Sequence, residues 1–121
     1  MKKLFRHFLN LHEISKEDIN IILKYSHRLK KNYKAKQLKE KKILAIIFEK
    51  PSTRTKISFD VGMKLLNGDV VTLDHSDSQL GRGESLEDTM RVLSSYVDII
   101  VYRGSDESKL YKLSEISTVP I

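Results

Sequence analysis

Hydrophobic and polar positions along the chain fall into alternating helical and strand-like stretches. From Ser15 to about Tyr33 the spacing predicts a helix, with Ser15 as N-cap, Asp18 three residues on, and Ile22, Tyr25 and Leu29 recurring on one face. Ile43-Leu44-Ala45-Ile46-Ile47-Phe48 is a continuous apolar run without alternation, which predicts a central strand covered on both faces. After Pro51-Ser52 a second helix is expected to about Leu66, with Phe59, Met63 and Leu66 on a common face and Asn67-Gly68 as its stop. Asp69-Val70-Val71-Thr72-Leu73 then reads as a strand. The polar stretch from Asp74 to Glu84, with Gly81 and Gly83, reads as an exposed, mobile loop. Ser85 and Asp88 form a second capping pair ahead of Leu86, Met90, Leu93 and Val97, a helix that feeds the strand Asp98-Ile99-Ile100-Val101-Tyr102. A short helix from about Ser105 to Ser114 follows, and Thr118-Val119-Pro120-Ile121 starts like a further strand.

This regular alternation predicts an α/β fold, a three-layer sandwich in which a central, mainly parallel sheet is flanked by helices. Right-handed crossovers would place ligands outside the carboxyl ends of the strands. With 121 residues, one domain spanning 1–121 is expected. No repeat or low-complexity segment interrupts it.

Composition narrows the function classes. A chain 40% hydrophobic and 31% charged is that of a folded globular protein. The absence of cysteine excludes a disulfide framework and a thiolate metal site, and it fits a reducing compartment. His7, His12, His27 and His75 are scattered without ligand spacing, so neither a metal nor another cofactor is expected. No apolar run approaches the roughly 20 residues of a membrane span. Arg6, His7 and Asn10 break the N-terminal apolar run before signal-peptide length, although the lack of acid before Glu13 leaves an Arg-rich presequence open.

The net charge of +6 is concentrated in Arg28, Lys30, Lys31, Lys34, Lys36, Lys39, Lys41 and Lys42, opposed there only by Glu40. A solvated helix end and linker explains such a stretch, with a basic interaction surface for RNA or another acidic partner as the alternative. Tyr33 stands alone within it, so no base-stacking platform is formed and nucleic acid is not the expected partner.

The candidate chemistry lies at the end of the first strand. Ser52, Thr53, Arg54 and Thr55 enter the first turn of a helix, where backbone N–H groups lack internal partners and the helix dipole favours an anion. Hydroxyls and a guanidinium added to those amides suit a phosphate. A plain N-cap accounts for the Ser and Thr equally well. The spacing is not that of a nucleotide-binding P-loop, and no Gly-x-Gly-x-x-Gly follows a strand.

Phe48-Glu49-Lys50-Pro51-Ser52-Thr53-Arg54-Thr55 resembles the Ser-x-Arg-Thr signature of the aspartate and ornithine carbamoyltransferases. Three more landmarks follow in family order: Ser78-Gln79-Leu80-Gly81-Arg82-Gly83-Glu84-Ser85 is similar to its mobile loop, Asp88-Thr89-Met90-Arg91-Val92-Leu93 to the next helix, and Val101-Tyr102-Arg103-Gly104 to a strand end bearing a second arginine. Arg6-His7-Phe8-Leu9 is similar to the family's mature N-terminus, which favours a cytoplasmic chain over an imported precursor. Glu-Lys-Pro before Ser52, Arg82 where aspartate enzymes usually have Lys, and Gly104 where they have His are similar to the ornithine branch. Domains acting on aspartate or another amine are the alternative.

The resemblance implies that Ser52, Thr53, Arg54 and Thr55 bind the phosphate of carbamoyl phosphate. It implies that Arg54, Thr55 and Arg103 carry the catalysis, Thr55 and Arg103 facing the carbamoyl oxygen. Gln79, with Arg82 as a further candidate, would reach the site of the neighbouring subunit in a homotrimer. The family continues past Thr118-Val119-Pro120-Ile121 into a His-Pro-x-Gln segment and a second domain that holds ornithine. The resemblance therefore implies a phosphate-binding half that does not turn over by itself.

Overall fold

The computed structural model describes residues 5–74 and 85–121. The expected loop residues Gln79 and Arg82, like His75, lie outside the described residues. Helix α1 spans Lys16–Asn32 and is followed by a short 3-10 turn, Tyr33–Lys36. Strand β1 (Ile43–Phe48), helix α2 (Thr53–Leu65), strand β2 (Asp69–Asp74), helix α3 (Leu86–Ser94), strand β3 (Ile99–Arg103) and helix α4 (Glu107–Ile116) come next.

The three strands form a parallel sheet in the order β2-β1-β3. Strand β1 lies in the middle, and its apolar run follows from that position. Side chains alternate across a sheet, so Ala45 and Ile47 face one layer while Leu44, Ile46 and Phe48 face the other. On the first face they pack with Leu86, Met90 and Leu93 of α3 and Leu113 of α4. On the second, Met63 of α2 packs beside Val70 and Val101. Ala45, Ile46 and Ile47 are wholly buried. Fully burying a side chain the size of Ile46 contributes on the order of 1.5–3 kcal/mol.

Helix ends follow their local chemistry. The Ser15 hydroxyl accepts from the Asp18 N–H at 3.1 Å, and Ser85 does the same from Asp88 at 3.1 Å. Helix α2 stops as Asn67-Gly68 suggests, but the left-handed conformation falls on Asn67, at φ 70°. Gly68 serves another purpose: a Cβ there would sit 2.6 Å from the Met63 side chain. Glycine lets Met63 pack against the turn.

Five expectations need correction. Helix α3 ends at Ser94 rather than continuing through Val97; Val97 still joins the core because its N–H reaches Leu93 O in the closing turn. Strand β3 begins one residue later than expected and runs to Arg103, while the last helix starts at Glu107, with Asp106 as its cap. Residues 118–121 form no strand. Pro120 O accepts from Ile100 N at 2.9 Å, but proline has no N–H with which to continue a ladder. Finally, α1 buries no residue: Ile22 and Tyr25, expected on its inner face, are 46% and 49% exposed. Both faces of the sheet are covered by α2, α3 and α4 instead.

The N-terminal segment is held against the chain's other end. Phe8 N donates to Ile121 O at 2.8 Å and Ile121 N to His7 Nδ1 at 3.0 Å. Arg6 pairs with Asp18 at 2.9 Å, and this hydrogen bond holds the Asp18 carboxyl below the usual carboxylate value. Among the described residues no helix is long and apolar enough to cross a membrane.

Candidate functional site

Strand order determines where a ligand can sit. The chain leaves β1 towards β2 on one side and returns to β3 on the other, so β1 and β3 diverge in connection at their carboxyl ends. Such a switch point opens a crevice beyond the strands. Phe48 stands opposite Arg103, and Glu49 N extends the contact by donating to Arg103 O at 2.9 Å. The two strands therefore end level with each other.

The turn after β1 delivers Ser52, Thr53, Arg54 and Thr55 to that crevice. Ser52 is the N-terminal flanking residue of α2, yet its side chain makes no capping hydrogen bond. Its hydroxyl accepts instead from Arg103 Nη1. The plain N-cap reading of Ser52 thus gives way to a contact that spans 51 positions of sequence. Two of the expected site residues, one from each strand end, touch directly.

Helix α2 suits an anion at this end. Its first turn contains no acid, and Lys56 N donating to Ser52 O at 3.1 Å begins its hydrogen-bond ladder. The N–H groups of residues 53–55 precede that bond, so they point out of the helix. Arg54 is exposed and makes no ion pair among the described residues. Thr55 is partly covered, and its carbonyl accepts from the Ser58 hydroxyl at 2.8 Å. The free amides at the start of α2 lie beside the Ser52 hydroxyl and the Arg103 guanidinium that it contacts, a set of donors of the kind that suits an anion.

A cavity of about 380 Å³ opens on the other side of Arg103, lined by Leu9, Tyr102, Gly104, Asp106 and Leu110 among others. Gly104 leaves room for the Tyr102 ring, since a Cβ there would press on the Tyr102 hydroxyl and make that side chain shift. That hydroxyl is buried and makes no well-formed hydrogen bond. Burial, and then the neighbouring Glu49 carboxylate, push the phenol well above its usual pKa.

Sequence reasoning missed the surroundings of the turn. Glu49 is part of the quoted segment, but nothing in the pattern tied it to Lys109, whose Nζ lies 2.6 Å from Glu49 Oε1. Lys109 occupies an ordinary position of an amphipathic helix, so only the fold could identify it. In the basic stretch Lys41 and Lys42 reach Asp69 and Glu40 at 3.9 and 3.8 Å, and the other six cations are exposed, as both a solvated stretch and an interaction surface require.

Known proteins share both the sequence and the fold of this chain. The sequence profile described as aspartate/ornithine carbamoyltransferase, carbamoyl-P binding domain, matches residues 6–121. An ornithine carbamoyltransferase of Agrobacterium fabrum is 45% identical over 119 residues, which cover 96% of this chain and 39% of that protein. The crystal structure of the anabolic ornithine carbamoyltransferase of Campylobacter jejuni superposes with a TM-score of 0.87 at 38% identity, over 96% of this chain and 38% of that one. The catalytic subunit of M. jannaschii aspartate transcarbamoylase gives 0.86 at 43% identity, over 97% of this chain and 40% of that one. The chain thus spans about two fifths of the length of these relatives.

Proposed function

The chain belongs to the aspartate/ornithine carbamoyltransferase family as its carbamoyl-phosphate-binding domain, and on that premise we propose that residues 52–55 and Arg103 bind carbamoyl phosphate for transfer of its carbamoyl group to the side-chain amine of ornithine. The observation that carries this reading is the Arg103 guanidinium on the Ser52 hydroxyl, in the crevice between β1 and β3. Ser52, Thr53, Thr55 and the Arg54 guanidinium hold the phosphate at the positive end of α2.

In the reaction the amine nitrogen attacks the carbonyl carbon and a tetrahedral centre forms with negative charge on the former carbonyl oxygen. Thr55 and Arg103 donate to that oxygen, which stabilises the transition state more than the ground state. The carbon–oxygen bond to phosphate then breaks, phosphate leaves with the bonding pair, and the nitrogen loses its proton to give citrulline. Removing one such donor typically slows an enzyme about 10²–10³-fold.

Ornithine as the amine is supported by the ornithine carbamoyltransferases among the relatives and by Gly104, which stands where aspartate enzymes usually have His. The likeness to an aspartate transcarbamoylase keeps aspartate as the second reading. The wider setting belongs to the same proposal: a cytoplasmic homotrimer acting in arginine synthesis, with Gln79 and Arg82 crossing to the neighbouring subunit. Ornithine would be held by chain that the relatives have beyond the matched region.

Isothermal titration of the chain with inorganic phosphate or carbamoyl phosphate tests the site. Arg54→Ala should weaken binding by about tenfold or more, as expected for loss of a charge-assisted hydrogen bond. Equal binding by the two proteins would overturn the assignment.

A further inference from the structure

We propose that Lys109 is a positioning residue for the phosphate turn, acting through Glu49; this rests on the phosphate site proposed above. Glu49 is the first residue beyond β1, and two hydrogen bonds fix it. Its N–H donates to Arg103 O at 2.9 Å, and its carboxylate accepts from Lys109 Nζ at 2.6 Å. The Glu49 side chain is 17% exposed and that of Lys109 37%. The pair is therefore partly shielded, chiefly on the Glu49 side.

Only Lys50 and Pro51 separate Glu49 from Ser52, and Ser52 is itself tied to Arg103. The turn is thus pinned at both ends, with Arg103 serving each anchor. Lys109 links the turn to α4. Its charge has a second consequence. A carboxylate three residues before a phosphate site repels the ligand, and a half-buried carboxylate left unpaired is costly in its own right. Lys109 neutralises Glu49 and ties its carboxylate to α4.

Two measurements on the 121-residue chain separate this from a purely structural role. In titrations with inorganic phosphate, Lys109→Met should weaken binding about tenfold, the scale of a lost hydrogen bond between charged groups. Lys109→Arg should restore affinity to within about threefold, because the charge and a donor are kept. Adding Glu49→Gln to Lys109→Met should also recover affinity, since it removes the unpaired carboxylate. Amide hydrogen exchange is the second measurement: Lys109→Met should speed exchange at residues 50–55 while leaving residues 45–47 of β1 protected, and Lys109→Arg should not.

Parent-like phosphate affinity together with unchanged exchange at residues 50–55 in Lys109→Met overturns the proposal. So does Lys109→Arg behaving like Lys109→Met. If the parent chain and Arg54→Ala bind phosphate equally or not at all, the phosphate-site reading fails; the exchange experiment then decides alone whether Lys109 holds the turn.

Discussion

Ser52 and Arg103 show how one hydrogen bond changes the reading of a residue. By itself, a serine ahead of a helix is an N-cap. With the guanidinium of Arg103 on its hydroxyl, it becomes part of a donor cluster built from two strand ends. Tyr102 supplies the prediction at this scale. Its folded pKa is raised above the ordinary 10.0, by burial first and Glu49 next. The folded chain therefore holds the phenolic proton more tightly than the unfolded chain. The associated stability is complete below pH 10.0 and is lost as pH rises through the folded value. Tyr102→Phe has no such proton to lose. Circular dichroism in alkali should show the parent unfolding at lower pH than Tyr102→Phe, and coincident curves would contradict the linkage. At pH 7 the substitution should cost little, since the hydroxyl removed is buried without a well-formed hydrogen bond.

Elements were readable wherever a local rule and the tertiary environment agreed. Strand β1 is legible because six apolar residues run on without alternation, as suits a strand covered on both faces. Helix α3 was found from Ser85 and the apolar spacing behind it. Ser85→Ala should destabilise the chain by about 1 kcal/mol, as loss of an N-cap does. Thermal unfolding would measure it, with no change in melting temperature counting against the cap. The loss would spread into the core because α3 contributes Leu86, Met90 and Leu93. The ends of elements were harder. Val97 keeps its core position after the helix has closed, and Pro120 accepts a hydrogen bond from β3 without extending the sheet. In each case the burial pattern continues where the backbone conformation does not. Helix α1 failed differently: its periodicity is real, yet an apolar face becomes core only if another element packs over it.

At the level of the molecule, two faces of one sheet are covered and considerable apolar surface remains on the helices. Ile21 and Leu23 of α1, and Ile57 and Val61 of α2, are each about half exposed or more. Broad exposed apolar surface favours association, in keeping with the proposed trimer. Light scattering should find three chains per particle, and a stable monomer at micromolar concentration would count against that assembly.

The sequence by itself determined the alternation of strands and helices, the central place of Ile43–Phe48, and a helix start dressed with Ser52, Thr53, Arg54 and Thr55. These depend on periodicity, capping and backbone polarity, which act over a few residues. The order of landmarks along the chain also carried the family resemblance, and with it the role expected of Arg103. Only the tertiary structure decided that the strand order is β2-β1-β3, that Arg103 therefore lies on Ser52, and that Lys109 grips Glu49 behind the turn. Those contacts join residues 51 and 60 positions apart. Their geometry follows from which side of β1 the returning strand takes, and no pattern within a single segment encodes that choice.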